Sequence, residues 1–143
     1  ITALDISKNA LEVAKENAEL NNVNIDFINA DIFEYQTDKK YDVIVSNPPY
    51  VLESEKSLMK QNVLDFEPEL ALFVDDFNPL KYYESIINFS SENLNPFGQI
   101  FFEINENYKH ELNKLAQNYE YNIIEFKLDI HNKTRFLILS KEH

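Results

Sequence analysis

Residues 41–50 read Tyr41-Asp42-Val43-Ile44-Val45-Ser46-Asn47-Pro48-Pro49-Tyr50. The first six form an apolar run that predicts a buried central strand. Pro48 and Pro49 cannot continue it, because each lacks a backbone N–H and has a fixed φ. The tetrad Asn47–Tyr50 is therefore predicted at the carboxyl end of a strand, where open α/β sheets bind their ligands.

The chemistry of the tetrad suits a planar nitrogen group. The diproline backbone is stiff and keeps its carbonyl oxygens free, and it is flanked by the Asn47 amide and the Tyr50 ring. Such a surface can hold an amine or amide nitrogen against a π-face while the nitrogen attacks an electrophile. The alternative interpretation is an ordinary loop start, because Asn before Pro is a common turn former.

Outward from this stretch, apolar patterns alternate between strand and helix periods. This alternation predicts an α/β fold with a mostly parallel sheet and helices on its faces. The short link 129–134 predicts that the last strand is antiparallel to the one before it. Residues 51–77 lack periodicity and are predicted to be a functional lid. The predicted strands are 1–4, 23–31, 41–46, 99–104, 121–128 and 135–140, and the predicted helices run from Ser7 as cap to Leu20, from Pro79 to before Pro96, and over 108–119.

Composition narrows the class of protein. The 143 residues suggest one domain, and the formal net charge of −12 disfavours a surface that grips nucleic acid by its phosphates. Cysteine is absent, which fits a reducing compartment, so a cytoplasmic location is expected. No apolar stretch approaches the roughly 20 residues of a membrane span, so no membrane partner is expected.

Several segments together resemble one enzyme family, the release factor glutamine methyltransferases of the HemK type. Residues 2–18 resemble its motif II, Asp31 its motif III, and residues 45–50 its motif IV. Phe66-Glu67-Pro68 is similar to a segment that sets this family apart from other users of the tetrad. Phe102-Glu103-Ile104 and the pair Asp129 and Arg135 also fit the family.

The resemblance implies a class I S-adenosylmethionine-dependent methyltransferase (Rossmann-like) fold, with helices on both faces of the sheet and the last strand antiparallel. It matches the C-terminal catalytic part of a family member, so residues 1–143 are expected to be a partial catalytic domain. The N-terminal helical domain and motif I, with its first strand and glycine loop, are expected to be missing. The chain opens within the apolar run Ile1-Thr2-Ala3-Leu4 and has Gly98 as its single glycine, which agrees with that expectation.

The family's cofactor is S-adenosylmethionine, and the resemblance implies which residues hold it. Asp5, with Ile6 beside it, would accept hydrogen bonds from the ribose hydroxyls, and Asn47 would also contact the cofactor. Asp31 would meet the exocyclic amine of adenine, and Ile32 would lie against its ring. From the residues alone, Asp5 equally suits a carboxylate that stabilises the following helix dipole, and Asp31 a loop start.

The tetrad would hold the acceptor, a glutamine side-chain amide. The Asn47 side-chain oxygen and the Pro48 backbone carbonyl would accept its two N–H bonds, and Tyr50 would stack on its plane. Pro49 completes the stiff corner. Glu67 would shape the substrate channel, or else is a solvated loop carboxylate.

Other titratable residues are given structural roles. Glu103 is interpreted as a structural strand residue, and the histidines lack the spacing of a metal site or a triad, so all three are expected at the surface. These are His110, His131 and His143.

The predicted function is methylation of a glutamine in a peptide-chain release factor. One alternative is an adenine- or guanine-directed nucleic-acid methyltransferase, which the acidic charge and residues 66–68 disfavour. Another is an inactive fragment or interaction module, and the fragment alone is expected to bind little cofactor. The absent first strand should leave unpaired edges on the strands at 1–4 and 41–46.

Overall fold

A computed structural model describes residues 1–141, which divide into two compact units. The first is Ile1–Thr37, and the second begins at Asp38. No helix in the described residues is long and apolar enough to cross a membrane. The predicted surface position of His143 lies outside the described residues.

The first unit is a strand–helix–strand segment: β1 (Thr2–Asp5), α1 (Lys8–Leu20) and β2 (Asp26–Asn29). The Ser7 hydroxyl caps α1 by accepting a hydrogen bond from the Ala10 amide at 3.2 Å, as predicted. Asn21 caps the C-terminus of the helix, and Asn22 follows in the left-handed region with φ 54°, which Asn tolerates better than most residues.

β1 and β2 are parallel, with Asp5 opposite Asn29. The second strand was predicted from Val23 but begins at Asp26. The cause is the end of α1: the Val23 amide donates to the Ala18 carbonyl at 3.0 Å, so the backbone there still closes the helix.

The described part of the second unit contains longer helices and strands and a group of short elements at 51–74. Its elements are β3 (Tyr41–Ser46), β4 (Val51–Leu52), α2 (Gln61–Phe66), α3 (Glu69–Leu72), β5 (Phe73–Val74), α4 (Lys81–Asn93), β6 (Leu94–Glu103), α5 (Lys109–Asn118), β7 (Asn122–Leu128) and β8 (Thr134–Ser140), with 3₁₀ turns at Glu53–Leu58 and Glu106–Tyr108.

Four of these strands form one sheet in the order β3-β6-β8-β7. β3 and β6 are parallel, while β8 is antiparallel to both of its neighbours. The predicted antiparallel last strand is therefore confirmed, and so is the α/β class.

The core of this unit lies on alternate residues of β6 and on the helices that cover them. The Tyr83 ring of α4 meets the Phe102 ring edge to face, with centroids 5.2 Å apart. Fully buried side chains are contributed by β6, β8, α4 and α5: Ile100, Phe102, Leu137, Leu139, Tyr83, Ile87, Leu112 and Ala116.

The strand predicted at 41–46 is present, but two of its apolar side chains are more exposed than predicted. β3 lies at the edge of the four-stranded sheet, and Val43 and Val45 are 51% and 75% exposed. Among the described residues, β3 pairs only with β6 and β1 only with β2. This agrees with the expected unpaired edges.

The strand that was predicted to begin at residue 99 is longer than expected. β6 begins at Leu94, which pairs with Tyr41, and the pairing resumes with Gln99 opposite Val43. Between them Phe97 has φ 63°, and a Cβ added at Gly98 would lie 2.6 Å from Leu94 Cγ and 2.8 Å from the Asn95 carbonyl oxygen. Residues 94–98 therefore form an irregularity inside β6.

The segment 51–77 is ordered by short elements. β4 follows the tetrad directly and pairs in parallel with β5, so the intervening residues form a loop closed at its base. The Ser54 hydroxyl donates to the Asp76 carboxylate, and Lys56 pairs with Glu69. A lid role for this segment stays a prediction.

Candidate functional site

The tetrad lies at the carboxyl end of β3, as predicted. Ser46 is opposite Phe102 of the parallel strand β6, so the residues that follow both strands share one edge of the sheet. Pro48 is buried, Pro49 and Tyr50 are half-buried, and Asn47 is exposed. Pro48 thus anchors this corner, and the side-chain amide of Asn47 faces solvent.

Two oxygen acceptors of the tetrad remain open. Among the hydrogen bonds of residues 1–141, none is donated to the Asn47 side-chain oxygen or to the Pro48 carbonyl. Neither atom is engaged within the described part of the chain, and the exposed Asn47 side chain can accept an N–H group from a ligand.

Tyr50, in contrast, is held at both ends. Its hydroxyl donates to Glu103 Oε1 at 2.8 Å, and its backbone carbonyl lies 3.5 Å from the Asn105 side-chain nitrogen. Burial raises the pKa of the Tyr50 phenol, and the Glu103 carboxylate raises it further, whereas Arg135 acts in the opposite direction. The phenol therefore keeps its proton at neutral pH.

Glu103 contacts Tyr50 from β6, the neighbour of β3, and Arg135 contacts it from β8, the next strand in the sheet. Glu103 ends β6, and the Ile104 amide donates to the Arg135 carbonyl at 2.8 Å, which joins β6 to β8. Arg135 Nη1 lies 3.5 Å from the Tyr50 hydroxyl, and its Nε lies 3.5 Å from Asp129 Oδ2.

The Asp129 carboxylate is oriented by the turn between β7 and β8. It accepts hydrogen bonds from the amides of Lys133 and His131, at 3.0 and 2.8 Å. These bonds and Arg135 lower the pKa of Asp129, the Lys133 amide most strongly. The sequence singled out Asp129 and Arg135 only as residues that fit the family, and it predicted neither their contact nor the one between Glu103 and Tyr50.

In the first unit, the two predicted cofactor carboxylates lie at the same end of neighbouring strands. Asp5 is the last residue of β1, and Asp31 follows β2 by two residues. Asp5 Oδ1 accepts from the Ser7 amide at 2.7 Å, and Asp31 Oδ1 accepts from the Phe33 amide at 3.0 Å. These local bonds fix the direction of both carboxylates.

Asn29 is a residue of this region that sequence reasoning missed. Its side-chain nitrogen donates to the carbonyls of Asp5 and Ile6, at 3.1 and 2.8 Å. It thereby ties the loop after β1 to the end of β2. Ile6 is exposed and Ile32 is half-buried.

Glu67 keeps its predicted role at the substrate channel as a prediction. It is exposed after the end of α2, and among the described contacts none joins its side chain to residues 47–50. His110 and His131 are exposed, as predicted. Within residues 1–141, no group of three or more His, Cys, Asp or Glu side chains is arranged to hold a metal ion.

Comparison with known proteins gives a consistent picture. Residues 1–66 match the family model for the methyltransferase small domain. The chain is 41% identical, over 143 residues, to the release factor glutamine methyltransferase of Bacteroides thetaiotaomicron, covering 99% of this chain and 51% of that protein. For the protein of the same name from Flavobacterium psychrophilum, the identity is 40% over 138 residues, covering 96% and 48%. The chain thus spans about half the length of these curated relatives.

Solved structures share the fold at lower sequence identity. A methyltransferase from Pyrococcus furiosus superposes with a TM-score of 0.72 at 19% identity, covering 99% of this chain and 62% of that one. An S-adenosylmethionine-dependent methyltransferase from Clostridium acetobutylicum gives 0.63 at 12% identity, covering 99% and 75%. The chain therefore has the class I S-adenosylmethionine-dependent methyltransferase fold and is homologous, over nearly its whole length, to release factor glutamine methyltransferases.

Proposed function

We propose that the protein containing this chain transfers a methyl group from S-adenosylmethionine to the side-chain amide nitrogen of a glutamine in a peptide-chain release factor. The observation that carries this proposal is the tetrad, with two open oxygen acceptors beside a fixed tyrosine ring. The names of the two bacterial relatives support the same substrate. Residues 1–143 are then part of the catalytic domain of that protein.

The residues of the first unit fit the cofactor by their donor and acceptor types. Ribose hydroxyls and the adenine amine are hydrogen-bond donors, and Asp5 and Asp31 offer carboxylate acceptors at adjacent strand ends. Ile6 and Ile32 offer apolar surface for the adenine ring and its surroundings. S-adenosylmethionine, when bound, supplies an electrophilic methyl group on its sulfonium.

The tetrad would prepare the acceptor nitrogen. The Asn47 side-chain oxygen and the Pro48 carbonyl accept the two N–H bonds of the glutamine amide, and this orientation leaves the nitrogen lone pair free to attack. As the new C–N bond forms, positive charge grows on the nitrogen, and both oxygens stabilise it more strongly than the neutral ground state. The Tyr50 ring stacks on the amide plane, with Pro49 fixing the corner.

The electron and proton balance needs no dedicated base. The nitrogen lone pair would form the new C–N bond to the methyl group that bound S-adenosylmethionine would supply, and the bond broken would be that cofactor's C–S bond. The methylated nitrogen is then acidic and loses one proton to solvent. Glu67, exposed on the same unit, is proposed to contact the protein substrate near its glutamine.

Incubation with methyl-labelled S-adenosylmethionine tests the substrate class. The protein is mixed in parallel with a bacterial release factor and with RNA or DNA. We expect label in the release factor alone, since the net charge of −12 disfavours phosphate contacts. Label in the nucleic acid would instead establish an adenine- or guanine-directed enzyme, and no label in either substrate would favour an inactive or interaction role.

A pair of variants tests the role of Asn47. Asn47→Ala removes one of the two acceptors and should lower kcat about a hundredfold or more, by analogy with the loss of one transition-state hydrogen bond. Asn88→Ala, at an exposed position of α4, is the matched control and should keep wild-type activity. Equal rates for the two variants would contradict the proposed role.

A further inference from the structure

The Tyr50 hydroxyl is engaged by a carboxylate and a guanidinium rather than by solvent. It donates to Glu103 Oε1 at 2.8 Å and lies 3.5 Å from Arg135 Nη1. The ring is half-buried between a stiff diproline corner and this polar end. Two of the three side chains come from strands other than the one that precedes the tetrad.

We propose that Glu103 is a positioning residue for methyl transfer, which fixes the plane of the Tyr50 ring through its hydroxyl, and that Arg135 supports it from the same oxygen. This inference rests on the proposed function, because it assigns the ring the task of stacking on the acceptor amide. Glu103 acts through Tyr50 and touches no reacting atom.

The geometry explains why one hydrogen bond fixes the ring. A tyrosine side chain has two rotatable torsions, and the backbone of Tyr50 is already held by the preceding prolines and by Asn105 at its carbonyl. A short bond at the far end of the ring then removes most of the remaining freedom. A stacking surface held in this way does not need to be ordered when the substrate binds.

Glu103 is itself well anchored. It ends β6, and its carbonyl accepts a hydrogen bond from the hydroxyl of the fully buried Tyr83 at 3.0 Å. Phe136 of β8 is its partner in the sheet register. The carboxylate thus starts from a rigid backbone position, as a positioning group requires.

Arg135 is oriented by Asp129, whose carboxylate is fixed by two backbone amides of the turn. At 3.5 Å, its contact with the Tyr50 hydroxyl is weaker than the bond to Glu103. We therefore expect the larger effect from changes at Glu103 and a smaller one at Arg135.

A double-mutant cycle between Tyr50 and Glu103 tests the proposal. Tyr50→Phe keeps the ring and removes the hydroxyl, and Glu103→Ala removes its acceptor. Each should lower kcat about tenfold, because a loosely held platform misplaces the amide, with little change in KM for the cofactor. The double variant should lose no more than the worse single variant. Glu103→Gln, which keeps an acceptor oxygen, should recover part of the rate.

A matched control uses the exposed pair Tyr119 and Glu84, whose hydroxyl and carboxylate lie 3.5 Å apart. Tyr119→Phe and Glu84→Ala should leave kcat unchanged. Additive losses in the Tyr50 and Glu103 cycle, about a hundredfold together, would overturn the proposal, and so would an unchanged kcat in Glu103→Ala.

A titration separates failure of this inference from failure of the proposed function. The Tyr50 phenol is followed by NMR of ¹³C-labelled tyrosine, with its signal identified by its loss in Tyr50→Phe. Glu103→Gln should lower the pKa of Tyr50 and Arg135→Gln should raise it. An unaltered pKa in Glu103→Gln would refute the contact even if the wild-type protein methylates a release factor. The expected shifts in a protein that methylates no release factor would refute the function instead.

Discussion

Individual residues of the tetrad differ in how firmly they are held, and that difference separates their roles. Tyr50 is fixed by Glu103 at its hydroxyl, while the Asn47 side chain is exposed with its oxygen open. A held ring suits a stacking surface, and an open amide suits recognition of a ligand. Asp31 is also held by a neighbour, because its Oδ1 accepts a hydrogen bond from the Phe33 amide.

We predict that a substitution at Asp31 weakens binding of the cofactor without destabilising the fold. Asp31→Asn keeps Oδ1 for the Phe33 amide but loses the charge that would favour the adenine amine. KM for S-adenosylmethionine should rise about tenfold, as for the loss of a charged hydrogen bond, with kcat nearly unchanged. Steady-state kinetics measure both constants, with Glu34→Gln as the exposed control. An unchanged KM in Asp31→Asn would remove Asp31 from the cofactor site.

Residues near each other in sequence were predicted better than residues joined by the sheet. Ser7 as a helix cap follows from local chemistry alone, and its bond to Ala10 is present. Tyr50 and Glu103 are 53 positions apart in the sequence, so no local pattern predicts their contact. A usable signal existed: Glu103 is a carboxylate at the end of an apolar strand run, Ile100 to Phe102, where ligand sites form.

At the scale of elements, the parallel pair β3 and β6 places the tetrad and Glu103 at one edge. That pairing depends on the irregularity at 94–98, which realigns β6 after its first contact with Tyr41. Gly98 lies inside it, and an added Cβ would come within 2.8 Å of the Asn95 carbonyl oxygen. Backbone cannot move aside as a flexible side chain can.

Gly98→Ala is therefore predicted to destabilise the fold. Overpacking against backbone should lower the free energy of unfolding by about 1–3 kcal/mol. Denaturant titration measures it, and Asn88→Ala on the exposed face of α4 should show no loss. An unchanged unfolding midpoint for Gly98→Ala would show that the irregularity relaxes without cost.

Long periodic elements were predicted to within a few residues, and irregular ones were not. α1, α4, α5, β7 and β8 follow from their apolar spacing. The start of β2 was misplaced because the end of α1 uses the Val23 amide. The burial of β3 was misjudged because its apolar run was interpreted separately from the unpaired edge that was expected for the same strand. The short elements of 51–74 have too few residues to show a period.

At the scale of the molecule, buried tyrosine phenols make the free energy of unfolding fall at alkaline pH. Burial raises the pKa of Tyr83 far above its ordinary value of 10.0, and the pKa values of Tyr50 and Tyr121 are also raised, mainly by burial. Below pH 10 both folded and unfolded chains keep these protons. Above pH 10 the unfolded chain releases these phenol protons before the folded chain does. The stability that the buried phenols contribute is therefore present below pH 10 and is lost as the pH rises.

We therefore predict that the free energy of unfolding falls above pH 10, by up to about 1.4 kcal/mol per pH unit for each such phenol. Tyr83→Phe should show a shallower decline, because it has no proton to lose. At pH 7 the same variant should differ by only about 1 kcal/mol, from the lost bond to the Glu103 carbonyl. Denaturant titrations at several pH values measure both quantities, and equal slopes for the two proteins would contradict the assignment.

The central claim, that the tetrad presents a glutamine amide for methylation, is tested most directly by tandem mass spectrometry of a release factor treated with the protein and S-adenosylmethionine. We predict one methyl group on the side-chain nitrogen of a single glutamine, and its near absence when Asn47→Ala replaces the wild-type protein. A methyl group on any other atom, or equal methylation by Asn47→Ala, would contradict it.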